Sequence, residues 1–277
     1  MNLKEAKRDA MRVLDDARRE HFGDHHDMTA AVVLFSGGND STVLAHLMRP
    51  HCSHFGHANT GIGIEETRQF VRDVAEDWGI PLLERHPPPG DTFEDMIQKM
   101  GFPGPGQHFR AYQRLKERAI RQMRRELVTN PRKERVLFIS GIRRAESSRR
   151  AERPEHTREG SAVWVSPLIN WTNEHMAEYR AQNPDMPHNT VTDHLHMSGE
   201  CLCGAFAHHG EIHEIEMFYP EVVSEIRRLE VVAADAGIPE QRCQWGWGAY
   251  RDDPNRLDHK SGPMCSSCEF RNEEAAS

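Results

Sequence analysis

Hydrophobic and polar positions along this 277-residue chain follow two alternating patterns, short apolar runs and longer amphipathic stretches. The apolar runs AAVVLF, HCSHFGHA, IPLLER, RVLFIS and AVWVSPL predict buried strands. Stretches with helical spacing lie before and between them, and these cover residues 3–20, 42–48, 64–79, 91–100, 108–128 and 172–182. Such alternation is typical of βαβ units. It predicts an α/β fold with a doubly wound, mainly parallel sheet.

The alternation stops at about residue 194. Beyond this point Cys, His, Gly and Trp become frequent around one clear helical stretch, EVVSEIRRLEVVAADAG. We therefore predict three parts: an N-terminal helix in residues 1–29, an α/β domain in residues 30–193, and a cysteine-bearing segment in residues 194–277.

Composition and charge narrow the class of protein. No apolar run approaches the ~20 residues of a membrane span, and the first residues lack the apolar block of a signal peptide. This predicts a cytoplasmic protein without a membrane partner. The net charge of −8 argues against general binding to polyanions. Between Arg110 and Arg153, however, fifteen Lys or Arg accompany five Glu, which indicates either solvated helix faces or the footprint of an anionic substrate.

The stretch SGGNDS joins the first predicted strand to the helix that follows it. Two glycines let the backbone turn tightly and bring its N–H groups to a ligand, while the serines add hydroxyl donors and the helix dipole favours negative charge. The spacing is shorter than that of the Walker loop and the lysine is missing. The sequence thus predicts a phosphate site formed by Ser36, Gly37, Gly38, Asn39, Asp40 and Ser41.

Five of the six cysteines lie in the last third of the chain. Cys201-x-Cys203 and Cys265-x-x-Cys268 form two close pairs, an arrangement that can bring four thiolates to one centre. Zinc and an iron–sulfur cluster are both compatible with this spacing. For Cys243 we weigh a ligand, a sulfur carrier and an inert core residue, and we favour the last.

SGGNDS matches the PP-loop signature SGGxDS of the ATP-pyrophosphatase superfamily, and further motifs in order resemble the phosphoadenosine phosphosulfate (PAPS) reductase family. They are HANTGIGIEETRQFV, HFRAYQRLKERAI, ISGIRRAESSRRAE and VSPLINWTNEHMAEY. The resemblance covers about residues 30–205.

This resemblance implies that the PP-loop holds the phosphates of an adenine nucleotide, either ATP or a phosphosulfate nucleotide, with Mg²⁺ near Asp40. The implied catalytic residues are Asp40, Arg143 and Arg150. Further nucleotide-binding positions are Thr60, Gly61, Lys116, Gly141 and Arg143. Because Arg143 and Arg150 follow a strand that ends at Ser140, we expect them at the carboxyl edge of the sheet, where guanidinium groups clamp phosphate or sulfate. The resemblance also favours a 4Fe–4S cluster over zinc, on Cys201, Cys203, Cys265 and Cys268, with Cys243 as a further candidate.

Two departures from the family pattern bear on the reaction. The reductases end in an E-C-G-[IL]-H tail that this chain lacks. The PP-loop of this chain is intact, whereas that of the reductases, which do not cleave ATP, is often degraded. Both favour relatives that cut ATP between the α- and β-phosphates for iron–sulfur-dependent sulfur transfer to a nucleic-acid or nucleotide acceptor. A sulfur or electron donor protein would then be a partner, and a homo-oligomer stays open. The alternatives are a phosphosulfate reductase that releases sulfite and a zinc-containing module that binds nucleotides or nucleic acids.

Overall fold

A six-stranded sheet forms the centre of the computed structural model, which describes residues 1–23, 25–147, 150–208 and 210–250. The strands are β1 (Asp27–Leu34), β2 (His54–Ala58), β3 (Leu82–Arg85), β4 (Glu134–Ile139), β5 (His156–Glu159) and β6 (Ala162–Val165). Their order in the sheet is β3-β2-β1-β4-β6-β5. Every neighbouring pair is parallel except β5 and β6. The predicted doubly wound, mainly parallel sheet is confirmed.

The helices connect the strands and cover both faces of the sheet. They are α1 (Leu3–His21), α2 (Asn39–Met48), α3 (Glu65–Asp77), α4 (Phe93–Met100), α5 (His108–Tyr112), α6 (Arg118–Leu127), α7 (Asn173–Gln182), α8 (Val191–Leu195), α9 (Glu211–Phe218), α10 (Pro220–Asp235) and α11 (Glu240–Cys243). A π-helical turn, Gln113–Glu117, joins α5 to α6. Sequence analysis did not predict α8, α9, α11 or the edge strand β5. Within the described ranges, no helix is long and apolar enough to cross a membrane.

Alternate residues of the central strands belong to two different cores, as the pleat of a strand requires. Ala31 and Val33 of β1 pack with α1, α2, α3 and α7 on one face. Ala30 and Val32 pack with Ile120 and other residues of α6 on the opposite face. Because both faces are covered, β1 and β4 carry continuous apolar runs rather than an alternating pattern.

A third core joins the C-terminal part of the chain to the sheet domain. Helices α8, α9 and α10 pack with α4 and α5, and Phe102 is fully buried among them. Trp245 donates through its indole N–H to the Leu202 carbonyl at 2.7 Å, and Trp247 donates to the Phe102 carbonyl at 2.8 Å. Residues from both sides of the predicted boundary at 193/194 thus share one core; the division into three domains stays a prediction.

Strand register decides which loops meet. Val33 of β1 is level with Phe55 of β2 and with Ile139 of β4. Because these three strands run parallel, the segments that follow them leave the sheet side by side at one edge. The SGGNDS loop follows β1 at this edge, next to the end of β2 and to Ser140 and Gly141 after β4.

Candidate active site

A cavity of about 700 Å³ opens at the carboxyl edge of β1, β2 and β4. Its walls come from the loop after β1, the end of β2, the helix–π-turn unit α5–α6, and the segment that follows α8. Its lining includes Ser36, Gly38, Asn39, Asp40, Ser41, His57, Lys116, Gly141, Arg150, Glu200, Cys201 and Cys203. Most of the predicted phosphate-binding residues therefore share one cavity with the first cysteine pair.

The loop after β1 begins α2 without a side-chain cap. Gly38 is the N-cap residue, and no described side chain accepts a hydrogen bond from the N–H groups of the first turn. The hydroxyls stay inside the loop: Ser41 donates to the Gly38 carbonyl at 2.9 Å, and the Ser36 and Ser41 oxygens are 3.1 Å apart. An uncapped helix N-terminus that faces a cavity is a site for an anion, because its N–H groups and the helix dipole both favour negative charge.

Gly37 turns the loop in a conformation that only glycine adopts readily. Its φ is +75°, and a Cβ atom there would lie 2.8 Å from Cγ2 of Thr67 on α3. Asn189 is buried and donates through Nδ2 to the Gly37 carbonyl at 2.9 Å and to Oγ1 of Thr67 at 3.0 Å. The loop is thus held from behind by α3 and by the segment before α8.

Asp40 and Arg143, both predicted to be catalytic, contact each other. The Arg143 side chain is 2% exposed, and its Nε and Nη2 donate to Asp40 Oδ2 at 3.0 and 2.8 Å. Its Nη1 donates to Asn173 Oδ1 at 3.0 Å. Arg180 of α7 approaches the other Asp40 oxygen at 3.9 Å. Arg143 lies behind the cavity wall and orients Asp40 toward the cavity, and a direct contact of Arg143 with a phosphate stays a prediction.

Arg150 lines the cavity and forms an ion pair with Glu146, which lines it as well. Burial lowers the pKa of Arg150, while the Asp40 carboxylate acts in the opposite direction. Gly141 also lies at the cavity, and a Cβ atom on it would be 3.7 Å from the Asp40 carbonyl oxygen. The loop after β4 therefore runs close to the PP-loop, as the predicted position of these residues requires.

Lys116 projects from the π-turn into a cluster of ionisable groups. Its Nζ lies 3.5 Å from Oε2 of Glu200, whose side chain is 2% exposed. Burial by itself would lower the pKa of Lys116, but the Glu200 carboxylate and the cysteine sulfurs nearby hold this pKa above its ordinary value. π-helical turns occur often at functional sites, because one extra residue per turn redirects a side chain.

The side chains of Cys201 and Cys203 share a hydrogen bond. This bond and the Lys116 ammonium lower the pKa of Cys201 to about 7 against the effect of burial. The same bond and burial raise the pKa of Cys203. The pair therefore places one readily ionised thiol in the cavity that the PP-loop lines.

Thr60 and Gly61, which the resemblance implies for nucleotide binding, lie outside the cavity lining. Thr60 is fully buried; its backbone N–H donates to Glu200 Oε1 at 3.2 Å and its hydroxyl donates to the Glu200 carbonyl at 2.9 Å. The Leu202 N–H donates to the Ile62 carbonyl at 2.9 Å. This segment thereby fixes the chain that carries Glu200 and the two cysteines, and a nucleotide contact of Thr60 or Gly61 stays a prediction.

The other cysteines that were predicted as metal ligands are not found in the described lining of the cavity. Cys265 and Cys268 fall outside the described residues. Cys243 ends α11, where its thiol donates to the Ile238 carbonyl at 3.3 Å, and it does not line the cavity. Cys201 and Cys203 both line the cavity near the Lys116 ammonium. Two thiols in this position fit one half of the ligand set of an anionic iron–sulfur cluster or of zinc. The assignment of either group stays a prediction.

Substituting the first cysteine pair is expected to remove bound metal. Cys201→Ser and Cys203→Ser each replace a thiolate by a hydroxyl that stays protonated, so anaerobically purified variants should lose most of their iron and sulfide. Cys52→Ser is the matched control. Cys52 is half-buried against the core formed with α1, α2, α3 and α7, and it does not line the cavity. Iron and sulfide contents equal to those of the wild type in both cavity variants would contradict the assignment.

Several residues that shape this site are not among those predicted from the sequence. His57 looked like part of a buried strand, and Glu200 stands beside the cysteines in SGECLCG without a motif of its own. Asn189 and Arg180 lie far from the PP-loop in sequence and meet it only through the fold. Of these residues, only Glu200 could have been singled out from the sequence, because it directly precedes the cysteine pair.

A mainly parallel α/β sheet with an uncapped, glycine-rich loop at its carboxyl edge is the arrangement of the PP-loop class. A family model described as "Phosphoadenosine phosphosulfate reductase domain" matches residues 30–196, and the chain belongs to this family. The predicted superfamily is thereby confirmed.

Solved structures with a similar fold include enzymes of different activities. One is a PAPS reductase from Candida auris in complex with phosphate, at 18% identity and a TM-score of 0.48 over 66% of this chain and 83% of that chain. An FMN adenylyltransferase from Candida glabrata with ATP has 10% identity and a TM-score of 0.49; 69% of this chain spans 58% of that one. The U34-tRNA thiolase NcsA from Methanococcus maripaludis, with its [4Fe-4S] cluster, has 13% identity and a TM-score of 0.43 over 84% and 77%. No curated protein matches the chain.

Proposed function

We propose that this protein is an enzyme that binds ATP at the PP-loop, cleaves it between the α- and β-phosphates, and uses the adenylated product for sulfur transfer. The observation that carries this proposal is the shared cavity: the uncapped start of α2, Lys116, Arg150 and the Cys201–Cys203 pair all line it. A phosphate loop and an ionisable thiol pair in one cavity suit a reaction that joins nucleotide cleavage to sulfur chemistry.

In the proposed reaction an oxygen of the acceptor attacks the α-phosphorus, and the bond to the β-phosphate oxygen breaks. The N–H groups at the start of α2 bind the departing pyrophosphate, and Asp40, which Arg143 orients, is the residue for Mg²⁺. Hydrosulfide from a sulfur donor then attacks the adenylated atom, the bond from that atom to the AMP oxygen breaks, and the proton passes to solvent. AMP departs, and sulfur takes the place of the oxygen. Arg150 is the cavity cation for the charge that develops on the phosphates.

The thiols of Cys201 and Cys203 are the residues that would hold a metal group in this cavity. A 4Fe–4S cluster bound there would supply iron for carrying sulfur or electrons. Lys116, which faces Glu200 and the cysteine sulfurs, offsets the negative charge of thiolate ligands. Glu200 in turn anchors the cysteine segment on the Thr60 amide.

Nucleotide binding tests the proposal directly. Anaerobically purified protein is expected to bind Mg²⁺-ATP in calorimetry. Ser36→Ala with Ser41→Ala should weaken this binding about tenfold, because the variant loses the hydroxyl hydrogen bonds that hold the loop in shape around the start of α2. Ser224→Ala is the matched control, since this hydroxyl lies on the exposed face of α10 and donates to the Pro220 carbonyl. Formation of AMP and pyrophosphate is then measured with bulk tRNA or duplex DNA as acceptor.

Phosphosulfate reduction is the second candidate function, and the family itself supports it. In that case the protein would release sulfite from a phosphosulfate nucleotide with a dithiol reductant, and ATP would not be cleaved. Sulfite release together with inert ATP would therefore replace our proposal. A colourless, zinc-containing protein that turns over neither nucleotide would favour a binding module instead.

A further inference from the structure

His57 on β2 is a buried cavity residue with one unused hydrogen-bonding atom. Its side chain is 1% exposed, and it lines the cavity beside the PP-loop. Nδ1 lies 2.9 Å from the Phe35 carbonyl oxygen. Among the described residues none forms a hydrogen bond with Nε2, and Glu200 Oε1 lies 3.8 Å from it. A buried polar atom without a partner is costly, so its presence in a cavity wall points to a ligand group.

The contact at Nδ1 determines what Nε2 offers to that ligand. A backbone carbonyl only accepts hydrogen bonds, so Nδ1 carries the hydrogen and donates it to Phe35. In the neutral ring Nε2 is then an acceptor, fixed in direction by the Nδ1 bond. A hydroxyl or amino group of a bound molecule satisfies such an acceptor, whereas an unprotonated phosphate oxygen does not.

Strand register places His57 next to the phosphate site. Gly56 pairs with Leu34 at the end of β1, so His57 stands level with Phe35, the residue directly before the PP-loop. A nucleotide whose phosphates occupy the start of α2 has its sugar and base within the same cavity. The hydrogen-bond donors of a nucleoside are the 2′- and 3′-hydroxyls of the sugar and, for adenine, the 6-amino group of the base.

We propose that His57 is a specificity residue that accepts, through Nε2, a hydrogen bond from the nucleoside part of the nucleotide bound at the PP-loop. Glu200 lies on the same side, and a carboxylate near a ribose favours free hydroxyls over a sugar phosphate. This inference rests on the proposed binding of ATP and adds the group by which the nucleoside is recognised.

The test compares four nucleotides on three proteins. Calorimetry gives the dissociation constants of ATP, 2′-deoxy-ATP, 3′-deoxy-ATP and purine riboside triphosphate, which lacks the 6-amino group, for the wild type, His57→Ala and His46→Ala. His46 is the matched control, because it is also buried with an unpartnered Nε2 but lies on α2 away from the cavity. The ratio between analogue and ATP is measured within each protein, so a loss of stability in a variant does not affect it.

We expect the wild type to bind one of the three analogues about tenfold more weakly than ATP. His57→Ala should bind ATP about tenfold more weakly and lose that discrimination, and His46→Ala should keep it. The analogue that loses affinity identifies the donor. The inference is overturned if the wild type binds all four alike or if His57→Ala keeps the discrimination. A wild type that binds no ATP at all refutes the proposed function itself, which is a distinguishable result.

Discussion

Replacing Arg143 with methionine is expected to lower the free energy of unfolding by about 3 kcal/mol, since removal of one partner leaves a buried charge without its counterion. Arg143 is the principal partner of Asp40: two of its nitrogens donate to Oδ2 of that carboxylate at 3.0 and 2.8 Å. The Asp40 side chain is 15% exposed, so water compensates little for the loss. Chemical denaturation of both proteins measures the difference.

Arg180→Met is the matched control for this prediction. Arg180 approaches the same carboxylate only at 3.9 Å, and its side chain is 34% exposed, so its removal should cost less than about 1 kcal/mol. The double variant Asp40→Asn with Arg143→Met should be more stable than Arg143→Met alone, because it no longer contains a buried carboxylate that has lost its main counterion. Equal stability losses for Arg143→Met and Arg180→Met would show that Arg143 does not hold Asp40 as described.

Gly37→Ala should reduce the free energy of unfolding by roughly 2 to 5 kcal/mol and abolish measurable ATP binding. The left-handed φ of +75° costs about 1–2 kcal/mol for a residue with a Cβ atom. The Cβ atom would also come within 2.8 Å of Thr67 Cγ2 and 3.2 Å of Val71 Cγ2, and such overpacking costs about 1–3 kcal/mol. Relief of this clash displaces the loop whose N–H groups face the cavity. Denaturation and calorimetry with Mg²⁺-ATP measure the two effects.

Gly79→Ala separates backbone strain from the clash. Gly79 follows α3 with a φ of +63°, and a Cβ atom there meets nothing within 4 Å. This variant should lose only about 1–2 kcal/mol and bind ATP like the wild type. If Gly37→Ala behaved in the same way as Gly79→Ala, the packing of the PP-loop against α3 would not be a requirement for nucleotide binding.

Much of the sheet could be predicted because its central strands are buried on both faces. Continuous apolar runs such as RVLFIS mark β4, and the order of runs and amphipathic stretches determines a parallel arrangement. The edge strand β5, with the sequence HTRE, escaped prediction because it has no apolar face and is ordered by antiparallel pairing with β6. The short helices α8 and α11 likewise depend on packing against the rest of the fold rather than on a local pattern.

The site residues likewise fall into two groups, those with a local sequence pattern and those that only the fold brings together. The PP-loop combines glycines, hydroxyls and a strand–helix junction in six consecutive residues, so its chemistry is local and visible in the sequence. Arg143 illustrates the limit: the phosphate contact that its motif predicts stays a prediction, and no local pattern indicates the contact with Asp40 that the fold creates. Thr60 illustrates it again, because its partners belong to residue 200 rather than to its own neighbourhood.

The class of fold, the PP-loop and the family motifs can be read from the sequence, because they depend on hydrophobic periodicity and on residues close together in the chain. Which distant groups share the cavity depends on the folded structure. His57 meets Glu200, and Lys116 meets Glu200 near the cysteine pair, across separations of more than eighty residues. No local pattern encodes such contacts, since they arise when parallel strands bring their carboxyl ends to one edge and the C-terminal segment packs against it.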